Sequence, residues 1–178
     1  MVATCRNLNS WEIRGDVVCE ICAILLGMQV TLAHVGGRGG ANDGYEELVC
    51  SYLKRCAGGV KCGAEAFRSE AALLEWLGRQ KGRTEAAVMM LDGRGRQMSS
   101  EALAEWLGTR RDEGVQQVIF AIGPADGWSE TARVEGKRRG GLLSLGPLTL
   151  AHQLARLVVA EQIYRACTIL TGHPYHRK

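Results

Sequence analysis

Two stretches thirty residues apart decide the fold: residues 72–93 read ALLEWLGRQKGRTEAAVMMLDG, and residues 102–123 read ALAEWLGTRRDEGVQQVIFAIG. Each stretch begins with apolar residues at helical spacing and continues through a polar turn to an apolar run and a glycine. Helices that alternate with buried strands at this interval are typical of βαβ units in a parallel sheet. The repeat therefore predicts an α/β domain, and it describes the winding of the chain without implying duplication.

Each of these stretches ends in a glycine, Gly93 or Gly123, which we place just past the end of its predicted strand. In open parallel sheets, ligands bind in the crevice beyond the carboxyl ends of the strands. Glycine at that edge allows a ligand to lie against the backbone. The sequence therefore predicts a binding site beside these two glycines.

The segment before the repeat predicts a strand, a helix and a second strand. Residues 29–35 alternate and are rich in β-forming residues, residues 43–56 have helical spacing behind a capping Asp43, and residues 60–67 suit a short strand. The glycine-rich loop at 36–40 does not complete the dinucleotide pattern, because Asn42 stands where its third glycine belongs. We expect a flexible basic loop there and no NAD site.

The segment after the repeat predicts a third helix–strand unit and a long final helix. Residues 129–135 suit a short helix, the basic cluster Lys137-Arg138-Arg139 follows, and residues 142–144 suit a short strand. The final helix is predicted over 149–170 with Thr149 as its cap. Because that helix is apolar on two sides, we expect it to pack on its own sheet and on a partner subunit.

The composition is that of an ordinary globular protein. The 178 residues suit one compact domain, 46% of them are hydrophobic, and the net charge is +3. The apolar run at 17–30 contains Glu20 and is short for a membrane span. We therefore expect a cytoplasmic protein without a membrane anchor. Residues 1–27 look separate from the rest, either as an extension of unknown role or because Met28 is the true start.

The seven cysteines favour a reduced compartment, because their number is odd. Cys19 and Cys22 form a CxxC, but no second pair follows at zinc-finger spacing. We expect buried or incidental thiols and no metal site.

Polar groups that could carry chemistry are concentrated in the final helix and the tail. The helix holds His152, Arg156, Glu161 and Arg165, of which the last two are spaced for an ion pair within the helix. The tail residues 172–178 could stack on a base and bind phosphate, or they could form a frayed terminus. Asp92 and Asp126 lie near strand ends, where structural roles are more common than catalysis.

Residues 148–166, LTLAHQLARLVVAEQIYRA, and residues 172–177, GHPYHR, closely resemble the bacterial ribosomal RNA large subunit methyltransferase H family. That family belongs to the SPOUT superfamily of trefoil-knotted methyltransferases. The resemblance runs from Met28 to the C-terminus and includes Leu91-Asp92, Gly95-Arg96 and Ile122-Gly123. It departs from the family at Pro124, which lacks a backbone N–H, and at Ala151, where proline is usual before the histidine.

The resemblance implies an α/β fold of SPOUT type, in which helices flank a parallel sheet, the C-terminus forms a trefoil knot and the domain at 28–178 is a homodimer. It implies methylation of N3 of pseudouridine 1915, in the helix-69 loop of 23S rRNA, by S-adenosylmethionine on the ribosome. Lys137, Arg138 and Arg139 would then support salt-dependent docking on RNA. The alternatives are a SPOUT methyltransferase with another RNA target and a non-catalytic ribosome-binding module.

The resemblance also implies site residues. The cofactor would contact Leu91, Gly123, Leu145, Gly146, Pro147, Leu148, Thr149 and Leu150. A cation near the uracil oxygens would stabilise the anion that forms at N3, and the candidates are Arg165, Arg156 and Arg177, with His152 and His176 beside them. One subunit's tail would complete the other subunit's site.

Overall fold

The computed structural model describes residues 27–37, 43–56, 60–80 and 82–176. The strands are β1 Gln29–Val35, β2 Lys61–Phe67, β3 Ala87–Gln97, β4 Gln117–Ile122 and β5 Gly141–Ser144. The helices are α1 Gly44–Arg55, α2 Glu70–Arg79, α3 Ser100–Asp112, α4 Glu130–Arg139 and α5 His152–Leu170. The predictions for residues 1–26 and for residues 38–40 of the glycine-rich loop lie outside the described residues.

The five strands form one parallel sheet in the order β2-β1-β4-β3-β5. The predicted parallel α/β architecture is therefore confirmed. Leu91 on β3 lies opposite Ile122 on β4 and Leu143 on β5, so the carboxyl ends of these three strands meet at one edge. None of the described helices is long and apolar enough to cross a membrane.

Helices cover both faces of the sheet and enclose two apolar clusters. On one face, Val30 and Phe120 pack with residues of α1, α3 and α5. On the other, Ile119 and Ala121 pack with α2 and α4. Neighbouring residues of a strand point to opposite faces, which is why β4 contributes apolar side chains to both clusters.

Three helices begin with the same cap at the same interval. Ser69, Ser99 and Ser129 each precede a helix, and each hydroxyl accepts the backbone N–H three residues later at 3.1–3.2 Å. A serine at this position satisfies one of the amide donors that a helix start leaves unpaired. The repeat seen in the sequence thus extends to α4, whose cap lies thirty residues after that of α3.

The predicted helix start at Thr149 is wrong. α5 begins at His152, with Ala151 as an N-cap that makes no side-chain hydrogen bond. Residues 145–151 instead carry the chain along the carboxyl edge of the sheet, and Gly146 turns there with a φ of 116°. A helix cannot start until this crossing is complete.

The helix predicted at 129–135 extends to Arg139, so the basic cluster forms its last turn. Cations at a helix C-terminus are favoured by the helix dipole. The guanidinium groups of Arg138 and Arg139 bind the carboxylates of Glu85 and Glu135 at 2.6–3.1 Å. Two of the three cations that we expected to dock on RNA are therefore paired within the chain.

Gly93 lies within β3 and not beyond it, contrary to prediction. The pairing of β3 with β5 is interrupted between Leu91 and Arg96, and Gly93 falls in this interruption. At Gly95, a Cβ would stand 2.6 Å from the backbone of Leu142 and Leu143. The extension of β3 therefore passes against β5 so closely that only glycine fits.

Candidate functional site

A cleft of about 640 Å³ opens at the carboxyl edge of the sheet. Its walls are the ends of β3, β4 and β5 and the loop that leads from β5 into α5. The volume falls in the range of about 300–1,000 Å³ that small-molecule and cofactor sites occupy. The cleft lies beyond the carboxyl ends of the strands, which is where open parallel sheets bind ligands.

The structure brings together every residue that the sequence analysis assigned to the cofactor. The cleft is lined by Leu91, Gly123, Leu145, Gly146, Pro147, Leu148, Thr149 and Leu150. These residues come from β3, from the turn after β4 and from the loop before α5. Among the predicted catalytic residues within the described part of the chain, His152 alone lines the same cleft.

Trp128 forms part of this cleft, and the sequence analysis gave it no role there. Its indole is 3% exposed, and Nε1 donates a hydrogen bond of 2.7 Å to the carbonyl oxygen of Leu91. A Cβ on Gly123 would meet the indole ring at 2.8 Å. The tryptophan packed on Gly123 therefore excludes a side chain at this position, a constraint that the sequence alone does not show.

Gly93 and Gly146 are the glycines whose backbone faces open space in the cleft. A Cβ on either would meet no heavy atom within 4 Å. The Ser144 hydroxyl holds the second of these turns, since it accepts the N–H of Gly146 and donates to its carbonyl, both at 3.2 Å. A ligand can thus approach the main chain at two points.

Asp92 is held in a structural ion pair at the rim. Its carboxylate accepts Arg133 Nε at 2.7 Å and the backbone N–H of Arg94 at 2.8 Å. Burial alone would raise the pKa of Asp92, but these two donors together lower it below its usual range. A carboxylate so engaged is a poor proton acceptor, which supports the structural interpretation of this residue.

Pro124 follows Gly123 and belongs to a hydrogen-bonded turn. The Pro124 carbonyl oxygen accepts the N–H of Gly127 at 2.9 Å, and Gly127 has a φ of 86°. The proline ring therefore fits the turn, while one N–H that another residue would offer to the cleft is missing.

A buried basic group lies behind the inner end of the cleft. The rings of His34 and His152 have centroids 5.8 Å apart, and Arg156 is 2% exposed, with Nη2 at 2.5 Å from the Glu46 carboxylate. Burial, reinforced by the charge of Arg156, lowers the pKa of His34 to about 4 and also lowers that of His152. Both imidazoles are therefore neutral at pH 7.

His152 is the better candidate of the two histidines for ligand contact. It lines the cleft, whereas His34 does not, and its Nε2 atom, like both ring nitrogens of His34, is buried without a hydrogen-bond partner among the residues that the structure describes. A buried polar atom without a partner costs about 1–3 kcal/mol, so a ligand group or water is expected beside it. Arg156, in contrast, points into the protein and is paired with Glu46.

Arg165 and the tail form a second polar group. Arg165 pairs with Glu161 at 2.6 Å, and its guanidinium lies 4.9 Å from the centre of the Tyr175 ring. Tyr175 donates its hydroxyl to Glu161 at 3.1 Å, and His176 Nε2 lies 3.0 Å from the Glu101 carboxylate. The tail is therefore fastened to α3 and α5. Arg177 lies outside the described residues.

The two groups do not converge within one chain. His152 and Arg165 are thirteen residues apart on α5, which corresponds to about 20 Å along a helix axis. Of the predicted catalytic residues that the structure describes, only His152 is at the cleft, while Arg165 and His176 lie towards the other end of the helix.

Residues 28–176 match the family model described as "Predicted SPOUT methyltransferase". The ribosomal RNA large subunit methyltransferase H of Koribacter versatilis is 48% identical over 131 residues, which cover 74% of this chain and 87% of that protein. The protein of the same name from Brucella anthropi is 51% identical over 92 residues, 52% of this chain and 56% of its own length.

A solved methyltransferase from Legionella pneumophila, in complex with the cofactor SAM, is a more distant match. It shares 13% identity at a TM-score of 0.42, covering 80% of this chain and 66% of that one. That superposition is too loose to bear on the fold or on the site.

Proposed function

Because this chain belongs to the SPOUT methyltransferases, and among them to the ribosomal RNA large subunit methyltransferase H family, we propose that it methylates ribosomal RNA with S-adenosylmethionine. The substrate of this proposal is N3 of pseudouridine 1915 in the helix-69 loop of 23S rRNA, on the assembled ribosome in the cytoplasm. The observation that supports it best is that all eight residues assigned to the cofactor line one cleft at the carboxyl edge of the sheet.

The residues of the cleft fit the cofactor. Gly93 and Gly146 leave backbone open to it, while leucines 91, 145, 148 and 150 supply apolar contacts for an adenine ring. Asp92 is neutralised by Arg133, so it adds little net negative charge at the rim. The bound cofactor would supply a methyl carbon activated by its sulfonium, so no nucleophilic side chain is needed.

The remaining work of the chain is to position N3 and to favour loss of its proton. A pseudouridine in a loop can enter the cleft at less cost than a base in a duplex. A cation near the uracil oxygens would stabilise the negative charge that develops when the proton leaves. We assign that role to Arg165, assisted by Arg177 and His176, and we place neutral His152 beside the base as a hydrogen-bonding group.

This assignment requires a homodimer. Arg165 lies about 20 Å along α5 from His152, so its own cleft is out of reach of its side chain. A partner subunit packed on the face of α5 that carries the exposed Leu154 and the half-buried Leu157 and Val158 would bring a second tail to the first cleft. We further propose that the crossing of residues 145–151 and the extension of β3 form the trefoil knot.

Methyl transfer from labelled cofactor to assembled ribosomes and to free 23S rRNA tests the proposal. We expect label only with ribosomes, and mass spectrometry of the modified rRNA should locate it at N3 of the pseudouridine. Label at another nucleotide would indicate a SPOUT methyltransferase with a different target.

Pro124 motivates the one non-catalytic alternative, since it removes an N–H beside the cleft. Calorimetric titration with S-adenosylmethionine decides this point. Binding supports the enzyme, whereas ribosome binding without any cofactor binding would make the chain a ribosome-binding module.

A further inference from the structure

Three cysteines from distant parts of the chain meet at the end of the sheet opposite the cleft. Cys56 follows α1, Cys62 lies at the start of β2, and Cys167 lies in the last turns of α5. Their Sγ atoms all lie within 4.8 Å of one another. This cluster was not predicted from the sequence, because the expectation of no metal site rested on Cys19 and Cys22, which lie outside the described residues.

The spacing of the three sulfur atoms suits a thiophilic cation. A tetrahedral zinc ion binds thiolate sulfur at about 2.3 Å, which puts neighbouring sulfurs about 3.8 Å apart. The cluster therefore needs a contraction of about 1 Å or less, within reach of small side-chain rotations. Structural zinc sites are almost always four-coordinate with cysteine and histidine ligands, so three cysteines supply all but one ligand of such a site.

A cation lies beside the cluster. The Arg55 side chain lines the same small cavity as Cys56 and Cys167, and its guanidinium carbon lies 4.4 Å from the centre of the Tyr164 ring. A neighbouring positive charge favours thiolate, the form in which cysteine binds a metal. Metal binding would release the protons of the three thiols.

A fourth coordination position is available. A small cavity of about 100 Å³ is lined by Cys56 and Cys167 and by Thr171 and His173 from the end of α5 and the tail. This space is large enough for a water molecule, which needs about 30 Å³. It also offers a path by which an ion can reach two sulfurs that are otherwise buried.

We propose that Cys56, Cys62 and Cys167 form a structural site for Zn²⁺, which ties α1, β2 and the C-terminal part of α5 together. The site is independent of the methyltransferase cleft, and its failure would leave the proposed reaction untouched. The Cys56 thiol donates to the Tyr52 carbonyl oxygen at 3.4 Å, a contact that zinc would replace.

Zinc stoichiometry in the full-length chain tests the site. The variant Cys5→Ser/Cys19→Ser/Cys22→Ser removes the other thiols that could bind metal, apart from Cys50, and serves as the parent. After reduction, chelation and titration with Zn²⁺, native mass spectrometry should show one zinc per chain. Adding Cys62→Ser or Cys167→Ser should abolish this zinc, whereas adding Cys50→Ser, the matched control on α1, should retain it.

A measurement on the unaltered chain guards against variants that fail to fold. Substitution with Co²⁺ should give intense sulfur-to-metal charge-transfer absorption in the near ultraviolet, and zinc should protect Cys56, Cys62 and Cys167 from alkylation. Zinc retained in Cys62→Ser, or alkylation unchanged by zinc, would overturn the proposal. A disulfide within the cluster, with no metal bound after reduction, would assign it to redox chemistry and would overturn it equally.

Discussion

At the scale of single residues, Arg165, which forms an ion pair with Glu161, provides the test of the proposed reaction. If Arg165 acts on charge that develops at N3, it stabilises the transition state more than the bound cofactor. We therefore expect Arg165→Ala to lower kcat about 10²-fold, the usual loss when one such donor is removed, and to leave the Kd for S-adenosylmethionine unchanged. Methyl-transfer assays on ribosomes and calorimetry measure the two quantities.

Arg79→Ala is the matched control, because Arg79 forms a comparable helix pair with Glu75 at 3.1 Å on the exposed side of α2. Arg79→Ala should leave both kcat and the Kd for S-adenosylmethionine unchanged. Equal losses of turnover and cofactor affinity in Arg165→Ala would refute the assignment.

His34 should make the stability of the fold depend on pH. Its pKa is lowered from 6.5 to about 4 by burial and by the charges of Arg156 and His152, with Glu46 acting in the opposite direction. The unfolded chain therefore takes up a proton near pH 6.5 while the folded chain does not. Stability is present above pH 6.5 and is lost as the pH falls towards 4.

Between pH 7.5 and pH 5, the shift of His34 should lower the free energy of unfolding by about 2 kcal/mol. Urea titrations at both pH values measure it. In His34→Leu, whose side chain is of similar size and cannot ionise, the pH-dependent loss should shrink by that amount. An identical pH dependence in both proteins would contradict the lowered pKa.

Residue-level predictions succeeded where sequence neighbours or family signatures supplied the information. The ion pair of Glu161 with Arg165 followed from helical spacing and is confirmed. Trp128 and His34 were missed as site residues because their partners, Leu91 and His152, are 37 and 118 positions away. Such contacts become visible only when the sheet order is known.

At the scale of elements, the serine caps give a graded stability test. Among the described residues the Ser69 hydroxyl makes its cap contact with Ala72 alone, whereas Ser129 also binds the Glu70 carboxylate through its N–H and its hydroxyl. We expect Ser69→Ala to lower the free energy of unfolding by about 1 kcal/mol, and Ser129→Ala by about 2 kcal/mol because a bond to a charged group is also lost. Chemical denaturation should show the larger loss of unfolding free energy for Ser129→Ala. Equal losses in the two variants would contradict a stabilising contact between Ser129 of α4's cap and Glu70 of α2.

Two glycines of β3 should respond oppositely to an added methyl group. Gly95→Ala should cost about 3 kcal/mol, because its Cβ would stand 2.6 Å from the backbone of β5. Gly93→Ala should leave stability unchanged, since its Cβ meets open space, yet it should weaken binding of S-adenosylmethionine. Thermal unfolding and calorimetry separate the two effects. A stable Gly95→Ala protein would show that β3 does not press on β5.

Element boundaries were predicted well where local chemistry sets them. The Asp43 cap of α1 is confirmed, because the carboxylate accepts the N–H of Tyr45 at 3.0 Å. The start of α5 was placed three residues too early, since Thr149 is a suitable cap in sequence but lies in the crossing at the strand ends. Only tertiary structure determines where that crossing finishes.

At the scale of the whole molecule, the separation of His152 from Arg165 predicts complementation between subunits. Gly93→Leu should block the cleft, and Arg165→Ala should remove the cation that acts at the partner's cleft. The homodimer of either variant should therefore be inactive. Each mixed dimer would contain one intact cleft facing one intact tail. Unfolding and refolding an equal mixture should restore about a quarter of the wild-type activity, because half of the dimers are mixed and each has one working site.

Refolding each variant alone is the control for that experiment, and sedimentation should show dimers in every sample. Activity in the mixture that does not exceed that of the separate variants would place Arg165 in its own subunit's site, or outside catalysis.

The parallel α/β architecture was predictable from the repeat, but the order of the strands was not. The repeat indicates that β3 and β4 are neighbours, as they are. Nothing in the local sequence shows that β1 lies between β2 and β4, or that β5 joins β3 at the edge. Those positions depend on how the helices share the two faces.

One face of β1 is covered only when α5 packs on it. β1 takes β4 as one neighbour, and the apolar side chains of Val30 and Leu32 belong to the cluster that α5 closes with Val159 and Ile163. During translation, these residues of β1 therefore stay uncovered until α5 has left the exit tunnel. A stop codon ahead of His152 would release a chain with an open apolar face, a substrate for proteases and not a smaller working unit.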